Sequence, residues 1–374
     1  MNVLFVAKYP LPLRHGTALR VYHLARILSE KKHKISLLTD YDEDDTKKYE
    51  ALGVEVHHVS KRENGHGKPY PHNRELSLEL SGLCKGKDAA VLFGAEMLQY
   101  SSALQSSKST VIADIIDDPI LAAWRRLKKA STLRHLVWNI MLLFELRKYE
   151  KRYLPFVDAC TFVTEVDANN FYRRNKNTYI KTIPNGVDLD AWNIPFKRPY
   201  NFDYCIFAGN LSFVPNHTAA KFLVKKIAPA VWRERPEIRF VIVGSNPPKW
   251  LKNYTDKRVI ATGFVEDVRP YVLGARLVII PMVTGTGIKN KLLEAWAAQK
   301  PVVATPLARQ GLPAKDGQNI LIRKSELEIS QAICKAWTDD DLRKKLGEMG
   351  RITVETQFSW EEVSKKLEGL IHGL

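Results

Sequence analysis

Between Thr284 and Thr305 the chain reads TGTGIKNKLLEAWAAQKPVVAT. This is a glycine-rich turn, a helix with Lys289, Asn290, Lys291 and Glu294 near its start, and then a buried strand. A glycine turn feeding a helix leaves backbone N–H groups at the positive end of the helix dipole, where a phosphate can sit. Gly287, Asn290 or Lys291, and Glu294 are spaced by three and four residues and share one face. That face combines close backbone approach, a donor or cation, and a carboxylate able to accept two sugar hydroxyls. The pattern predicts a grip on a nucleotide sugar.

Other residue patterns offer less. His57 and His58 fall in a strand-like run, and His66 and His72 in a Gly/Pro-rich loop, none at a metal-binding spacing. The DEDD run (42–45) reads as a solvated loop. Cys84, Cys160, Cys205 and Cys334 are scattered, without a CxxC or Cys/His cluster, as small core residues in a reducing cytosol would be. No metal site and no cofactor are expected.

The elements that must position these residues come in two series. In the first, VLFVA (3–7) precedes a helical stretch from Thr17 to Lys31. KISLLTD (34–40), VEVHHVS (54–60), AAVLFGA (89–95), TVIADII (110–116), ACTFVTE (159–165) and KTIPNGVD (181–188) follow. The second series restarts with YCIFAGN (204–210) and a helix around His217–Val231. It continues through IRFVIVG (238–244), RVIATG (258–263), RLVIIPM (276–282), PVVAT (301–305) and NILI (319–322). Continuous apolar runs mark strands covered on both faces, as in parallel doubly wound sheets. The fold class expected is α/β, with two Rossmann-like domains at 1–188 and 203–358 and a last helix in 359–374. A chain of 374 residues also exceeds the usual span of one core.

One segment breaks this rhythm. AAWRRLKKASTLRHLVWNIMLLFELRKYEKRYL (122–154) reads as long and helical, with Arg125, Arg126, Lys128, Lys129 and Arg134 beside Trp124, Trp138 and Phe144. Basic residues flanking a Trp/Leu/Phe face suit a helix lying on an anionic membrane surface. Two ordinary helices with a solvated basic face would look the same. The whole chain has 57 Lys plus Arg against 41 Asp plus Glu, a net +16. Such an excess fits a polyanionic partner: membrane, nucleic acid or phosphorylated substrate. The apolar run after Met1 is too short for a signal peptide, and no run is long enough to span a bilayer. The location expected is cytoplasmic, peripheral at the inner face of the membrane.

Taken in order, PNGVD (184–188), AGNLSFVPN (208–216), TGFVEDVRPYVLGARLVIIP (262–281) and GIKNKLLEAWAAQKPVVAT (287–305) resemble the family-4 glycosyltransferases of the GT-B fold, in the style of bacterial exopolysaccharide, capsule and lipopolysaccharide sugar transferases. The resemblance implies two Rossmann-like domains whose parallel sheets face across a cleft, with acceptor on the N-terminal side and NDP-sugar donor on the C-terminal side. It implies transfer with retention and without metal. Glu294 matches the second carboxylate of the family pair, expected on the nucleotide ribose. The first falls at Thr286, so the Thr286 hydroxyl or the N–H groups of Gly287 and Ile288 must serve the sugar. Leu292 lies within the same motif. The family's Arg and Lys for the diphosphate fall at Asn210 and Asn216, next to Gly209. Lys289 is the preferred replacement, with Lys291 second.

Gly16 and Thr17 match the glycine turn aimed at the donor phosphate, and Arg20 reaches the phosphate or acceptor, or solvent. Where relatives place a histidine, ADIIDDPILAAW (113–124) offers Asp114, Asp117 and Asp118, as base or orienter, or simply as a helix cap. Thr262 to Val265, with Phe264, should face the nucleotide base at a strand end. Two other readings stay open: a nucleotide-sugar epimerase or hydrolase of the same fold, and a nucleic-acid-binding protein. No nucleic-acid motif supports the second.

Overall fold

A computed structural model describes residues 1–8, 16–40, 43–60, 69–128, 132–285 and 287–374. They divide into two units, Met1–Asn185 with Trp360–Leu374, and Gly186–Ser359. Thr286, Lys129, His66 and Asp42 lie outside the described residues.

In the first unit the chain runs β1 (Asn2–Ala7), α1 (Gly16–Glu30), β2 (Lys34–Thr39), α2 (Glu43–Glu50), β3 (Glu55–His58), α3 (Arg74–Leu83) and β4 (Ala89–Phe93). A 3-10 helix, Ala95–Leu104, leads to β5 (Thr110–Ile116), α4 (Pro119–Leu127), α5 (Leu133–Tyr153), β6 (Ala159–Phe162), α6 (Glu165–Arg174) and β7 (Tyr179–Thr182). The strands pair in parallel in the order β3-β2-β1-β4-β5-β6-β7. Both faces are covered, which is why β1 has no polar alternation. Val3 and Phe5 pack with Val21 and Leu24 of α1, while Leu4 and Val6 pack with Leu76 and Leu80 of α3. The DEDD run is no loop from Glu43 onward, where α2 begins.

The second unit runs β8 (Tyr204–Ala208), α7 (Val214–Phe222), α8 (Ala228–Trp232), β9 (Arg239–Val243), α9 (Lys249–Lys252), β10 (Val259–Gly263), α10 (Arg269–Gly274), β11 (Leu277–Ile280), α11 (Asn290–Ala297), β12 (Val302–Ala304), β13 (Leu321–Ile322), α12 (Glu326–Thr338) and α13 (Asp340–Gln357). Its parallel sheet has the order β10-β9-β8-β11-β12-β13. The helix expected at 217–231 starts earlier, with Pro215 in its first turn. It carries a π turn at Leu223–Ile227, just before Pro229. Proline lacks the N–H that an α-helical ladder needs, and the wider turn absorbs that loss.

The closing helix, α14 (Trp360–Gly373), belongs to the first unit. Trp360 stacks on His23 of α1 with centroids 5.0 Å apart. Glu368 is 2.7 Å from both Lys31 Nζ and His33 Nε2.

Candidate functional site

In a doubly wound sheet, ligands bind where the strand order reverses, because the loops there diverge. In the second unit that point lies between β8 and β11. Gly209, Asn210 and Asn216 follow β8; the glycine turn and α11 follow β11. Lys291 Nζ reaches across, donating to Asn216 Oδ1 at 2.8 Å and lying 4.3 Å from the Phe207 ring centroid. A side chain on Gly209 would meet Lys291 Nζ and Asn216 Nδ2, each at 2.8 Å. The crevice floor is therefore bare backbone. Asn216 Nδ2 donates to the Asn210 carbonyl at 2.9 Å, while Asn210 Oδ1 accepts from the Ser212 N–H and hydroxyl. Asn210 thus serves its own turn.

α11 is held from behind. Leu292, Leu293 and Trp296 are buried, and Trp296 Nε1 donates to the Asn319 carbonyl at 2.8 Å. Side chains of this size stabilise by about 1.5–3 kcal/mol each when buried. Leu292 is spent in this core, so its side chain offers nothing to a ligand. No side chain caps the helix; Lys289 sits at the N-cap. Asn290 Oδ1 and Thr284 Oγ1 are buried without a hydrogen-bond partner among the described residues. Burial pulls the Lys291 ammonium down to about 7, partly offset by Glu294 and reinforced by Lys289. Burial likewise raises the Glu294 carboxyl, against the pull of Lys291.

The two lysines are placed differently. Lys289 is buried and donates from Nζ to the Gly287 carbonyl at 2.6 Å, whereas Lys291 faces the loop after β8. Gly287 has φ 68° and turns the chain into the helix; Ile288 packs partly against the core. Phe264, exposed, and Val265, against the core, follow edge strand β10, two strands from β8.

In the first unit the strand order reverses between β1 and β4. Gly16 and Thr17 open α1. Arg20 is neither at a ligand site nor in solvent. It is 1% exposed, pairs with Asp114 at 2.6 Å, and donates to the Pro184 carbonyl at 2.8 Å and Asn185 Oδ1 at 3.3 Å. Asp114, also buried, accepts from Thr161 at 2.9 Å. Asp118 caps α4 by accepting from the Ile120 N–H at 3.0 Å and forms a two-pronged pair with Arg174 at 2.8 and 2.9 Å. Asp114 is enclosed in the core, whereas Asp118, held by the cap and the pair, also borders the cavity beside Asp117.

Asp117 differs. Ile116 has φ 71°, a left-handed conformation costly for a β-branched residue. The β5–β6 register shifts there, and Asp117 is exposed. It lines an open cavity of about 380 Å³ with Thr17, Tyr70, Glu96 and Arg126. Glu96 was not anticipated. It follows Gly94, whose φ of 98° and lack of a side chain let the carboxylate fold back within 2.7 Å of where a Cβ would be. Burial raises its pKa. The only sequence signal was an acid two residues beyond the glycine that ends a buried strand.

The segment 122–154 forms α4 and α5 rather than one helix. α5 leaves Leu133, Val137, Ile140, Met141 and Phe144 exposed, and Lys148 lies 4.4 Å from the Phe144 ring centroid. Among the described residues no helix is long and apolar enough to cross a membrane, and no group of three or more His, Cys, Asp or Glu is placed to hold a metal ion.

A model of the family described as glycosyl transferases group 1 matches residues 203–339. An uncharacterized 44.6 kDa protein in the cps region of Klebsiella pneumoniae is 26% identical over 158 residues, 38% of this chain and 40% of that protein. The lipopolysaccharide core biosynthesis glycosyltransferase LpsE of Rhizobium meliloti is 32% identical over 109 residues, 29% of this chain and 32% of its own. The chain therefore spans well under half the length of these relatives. Anabaena Alr3699/HepE, solved in complex with UDP, superposes with a TM-score of 0.72 at 13% identity, covering 100% of both chains. The segment bearing Gly209, Asn216, Lys291 and Glu294 is thus a glycosyl transferases group 1 domain, in a chain whose two parallel-sheet α/β units have the GT-B fold.

Proposed function

We propose that the chain transfers a sugar from a nucleoside diphosphate sugar, UDP- or GDP-linked, to a glycan or lipid-linked acceptor, with retention and without a bound metal ion or other cofactor. The observation carrying this reading is the crevice between β8 and β11. There a cation meets bare glycine backbone within the family segment, and Glu294 lines the same small cavity as the cation. Glu294 accepts from the ribose hydroxyls. Lys291, with the N-terminus of α11 and Lys289 behind it, stabilises the charge on the departing diphosphate. The N–H groups of Gly287 and Ile288 serve the sugar, and the backbone at Phe264 and Val265 flanks the base. HepE is solved in complex with UDP, and LpsE is named a glycosyltransferase; both support the reading.

The first unit takes the acceptor, with Thr17 at its reversal point and Asp117 one strand over, after β5. The exposed apolar residues of α5, beside Arg134, Lys148 and Arg152, rest on an anionic membrane at its cytoplasmic face. Melting curves across UDP-, GDP-, ADP-, CMP- and TDP-sugars test the donor, and a UDP- or GDP-sugar should raise Tm. If none does, the reading fails. Release of nucleotide at one rate with and without any acceptor would point instead to hydrolysis or epimerisation. Charge reversal at Arg125, Arg126 and Lys128 should weaken co-sedimentation with anionic vesicles, and unchanged sedimentation would remove the membrane from the proposal.

A further inference from the structure

A second open cavity of the first unit, about 520 Å³, lies between α3, the 3-10 helix Ala95–Leu104 and the end of α5. Its size is that of a small-molecule site, commonly about 300–1,000 Å³. No Asp or Glu lines it. α3 turns one face into it through Arg74, Ser77 and Ser81, spaced by three and four residues. Arg152, in the last turn of α5, brings a second guanidinium group. Among the described residues neither arginine has a carboxylate partner. Arg152 lies instead over the Tyr153 ring, 5.3 Å from its centroid.

The neutral groups of the lining are already oriented. Gln99 Nε2 donates to the carbonyls of Pro71 at 2.9 Å and Glu96 at 3.0 Å, which leaves Oε1 facing His72 Nδ1 at 3.3 Å. His72 therefore carries a hydrogen on Nδ1, and in the neutral ring Nε2 accepts from the Ser77 hydroxyl at 3.3 Å. Ser81 Oγ donates to the carbonyls of Ser77 and Ala103 at 2.9 and 3.2 Å, and Ser102 Oγ to that of Gln99 at 3.5 Å. With their hydrogens so directed, the oxygens of Ser81 and Ser102 keep lone pairs for hydroxyl donors. Two guanidinium groups call for an oxyanion, which they match in geometry as well as charge. The serine oxygens call for a polyol.

We propose that this cavity binds a phosphorylated polyol, its phosphate held by Arg74 and Arg152 and its hydroxyls donating to Ser81 and Ser102. A free sugar phosphate and the glycerophosphate headgroup of a lipid both carry this chemistry. The site stands apart from the transferase reading and can be tested without a donor.

Calorimetric titration with glucose 6-phosphate, sn-glycerol 3-phosphate, inorganic phosphate and glucose tests the proposal. The two phosphorylated polyols should bind at least about tenfold more tightly than phosphate or glucose. Arg74→Ala and Arg152→Ala should each weaken them about tenfold, because each removes charge-assisted hydrogen bonds. Ser102→Ala should weaken glucose 6-phosphate about threefold and leave inorganic phosphate unchanged. All three residues are exposed, so the variants should keep the wild-type Tm. Failure of both phosphorylated polyols to bind overturns the proposal, as does binding that survives loss of both arginines or that is no tighter than that of inorganic phosphate. Sedimentation with phosphatidylglycerol vesicles then separates the two sources. A headgroup ligand predicts sedimentation lowered by Arg74→Ala and by added sn-glycerol 3-phosphate. Sedimentation indifferent to both assigns the cavity to the free sugar phosphate.

Discussion

The two units share a topology and differ in what they place at the reversal of strand order. In the second, the loops after β8 and β11 bring together Lys291, Asn216 and an unobstructed Gly209 backbone, and Glu294 lines a small cavity with Lys291. In the first, the corresponding point opens a wider cavity floored by Glu96 and Asp117. One gathers Lys291 and Glu294 around a small cavity; the other gathers Glu96, Asp117 and Asp118 with Arg126 around a larger one. The sheet fixes where a ligand can bind in such folds, and the loop residues decide its charge. The same contrast separates buried ion pairs from working ones. Arg20–Asp114 and Asp118–Arg174 are closed pairs that brace the first unit, while Lys291 donates to a neutral amide, Asn216 Oδ1.

Removing a brace should therefore have the largest effect and leave the other unit untouched. Arg20→Ala strands the Asp114 carboxylate in the core and should cost about 3–5 kcal/mol. Chemical unfolding of the variant checks the loss, and a UDP-induced shift retained by the second unit confirms that it is local. A wild-type unfolding midpoint would mean that Arg20 is no brace. Glu294→Ala comes next. Two lost charge-assisted hydrogen bonds should lower kcat/KM for the donor about 100-fold. Near wild-type kinetics would detach Glu294 from the ribose. Asp117→Asn and Asp118→Asn sharpen the comparison within the first unit. Asp118→Asn, which weakens a cap and a buried pair, should lower Tm markedly, while Asp117→Asn should leave Tm unchanged and reduce turnover. The reverse pattern would exchange the two roles.

Much of this was legible in the sequence. Continuous apolar runs located the strands, and the ordered motifs from 184 to 305 marked the domain that the family model matches at 203–339. What was not legible depended on side-chain direction and strand order. Lys289 and Lys291 are two residues apart on one helix start. Only the fold shows that the first bends onto Gly287 and the second crosses to Asn216. Arg20 looked like a ligand-facing or solvent-facing residue because its partners, Asp114 and Pro184, lie 94 and 164 residues away. Glu96 was passed over because nothing local says that β4 lies beside β1. KTIPNGVD read as one strand, yet β7 ends at Thr182 and the Pro184 carbonyl turns to Arg20.

The finest test of the contrast concerns the proton on Lys291. Its ammonium is pulled down to about 7 by burial, so free protein loses the charge as pH rises through neutrality. A bound diphosphate favours the charged form and raises that pKa again. Binding of UDP-glucose, whose diphosphate does not titrate near neutrality, should then take up most of a proton at about pH 8 and little at about pH 6. Affinity should fall correspondingly as pH rises. Calorimetry in two buffers of different ionisation enthalpy reads the uptake directly. Lys291→Met should abolish it and weaken binding about tenfold, Lys289→Ala should weaken binding less, and Glu294→Gln should keep the uptake. Uptake that survives Lys291→Met but vanishes in Lys289→Ala would return the diphosphate to Lys289. Uptake lost in Glu294→Gln alone would show that the carboxylate carries the titration, and the positive crevice would need another source of charge.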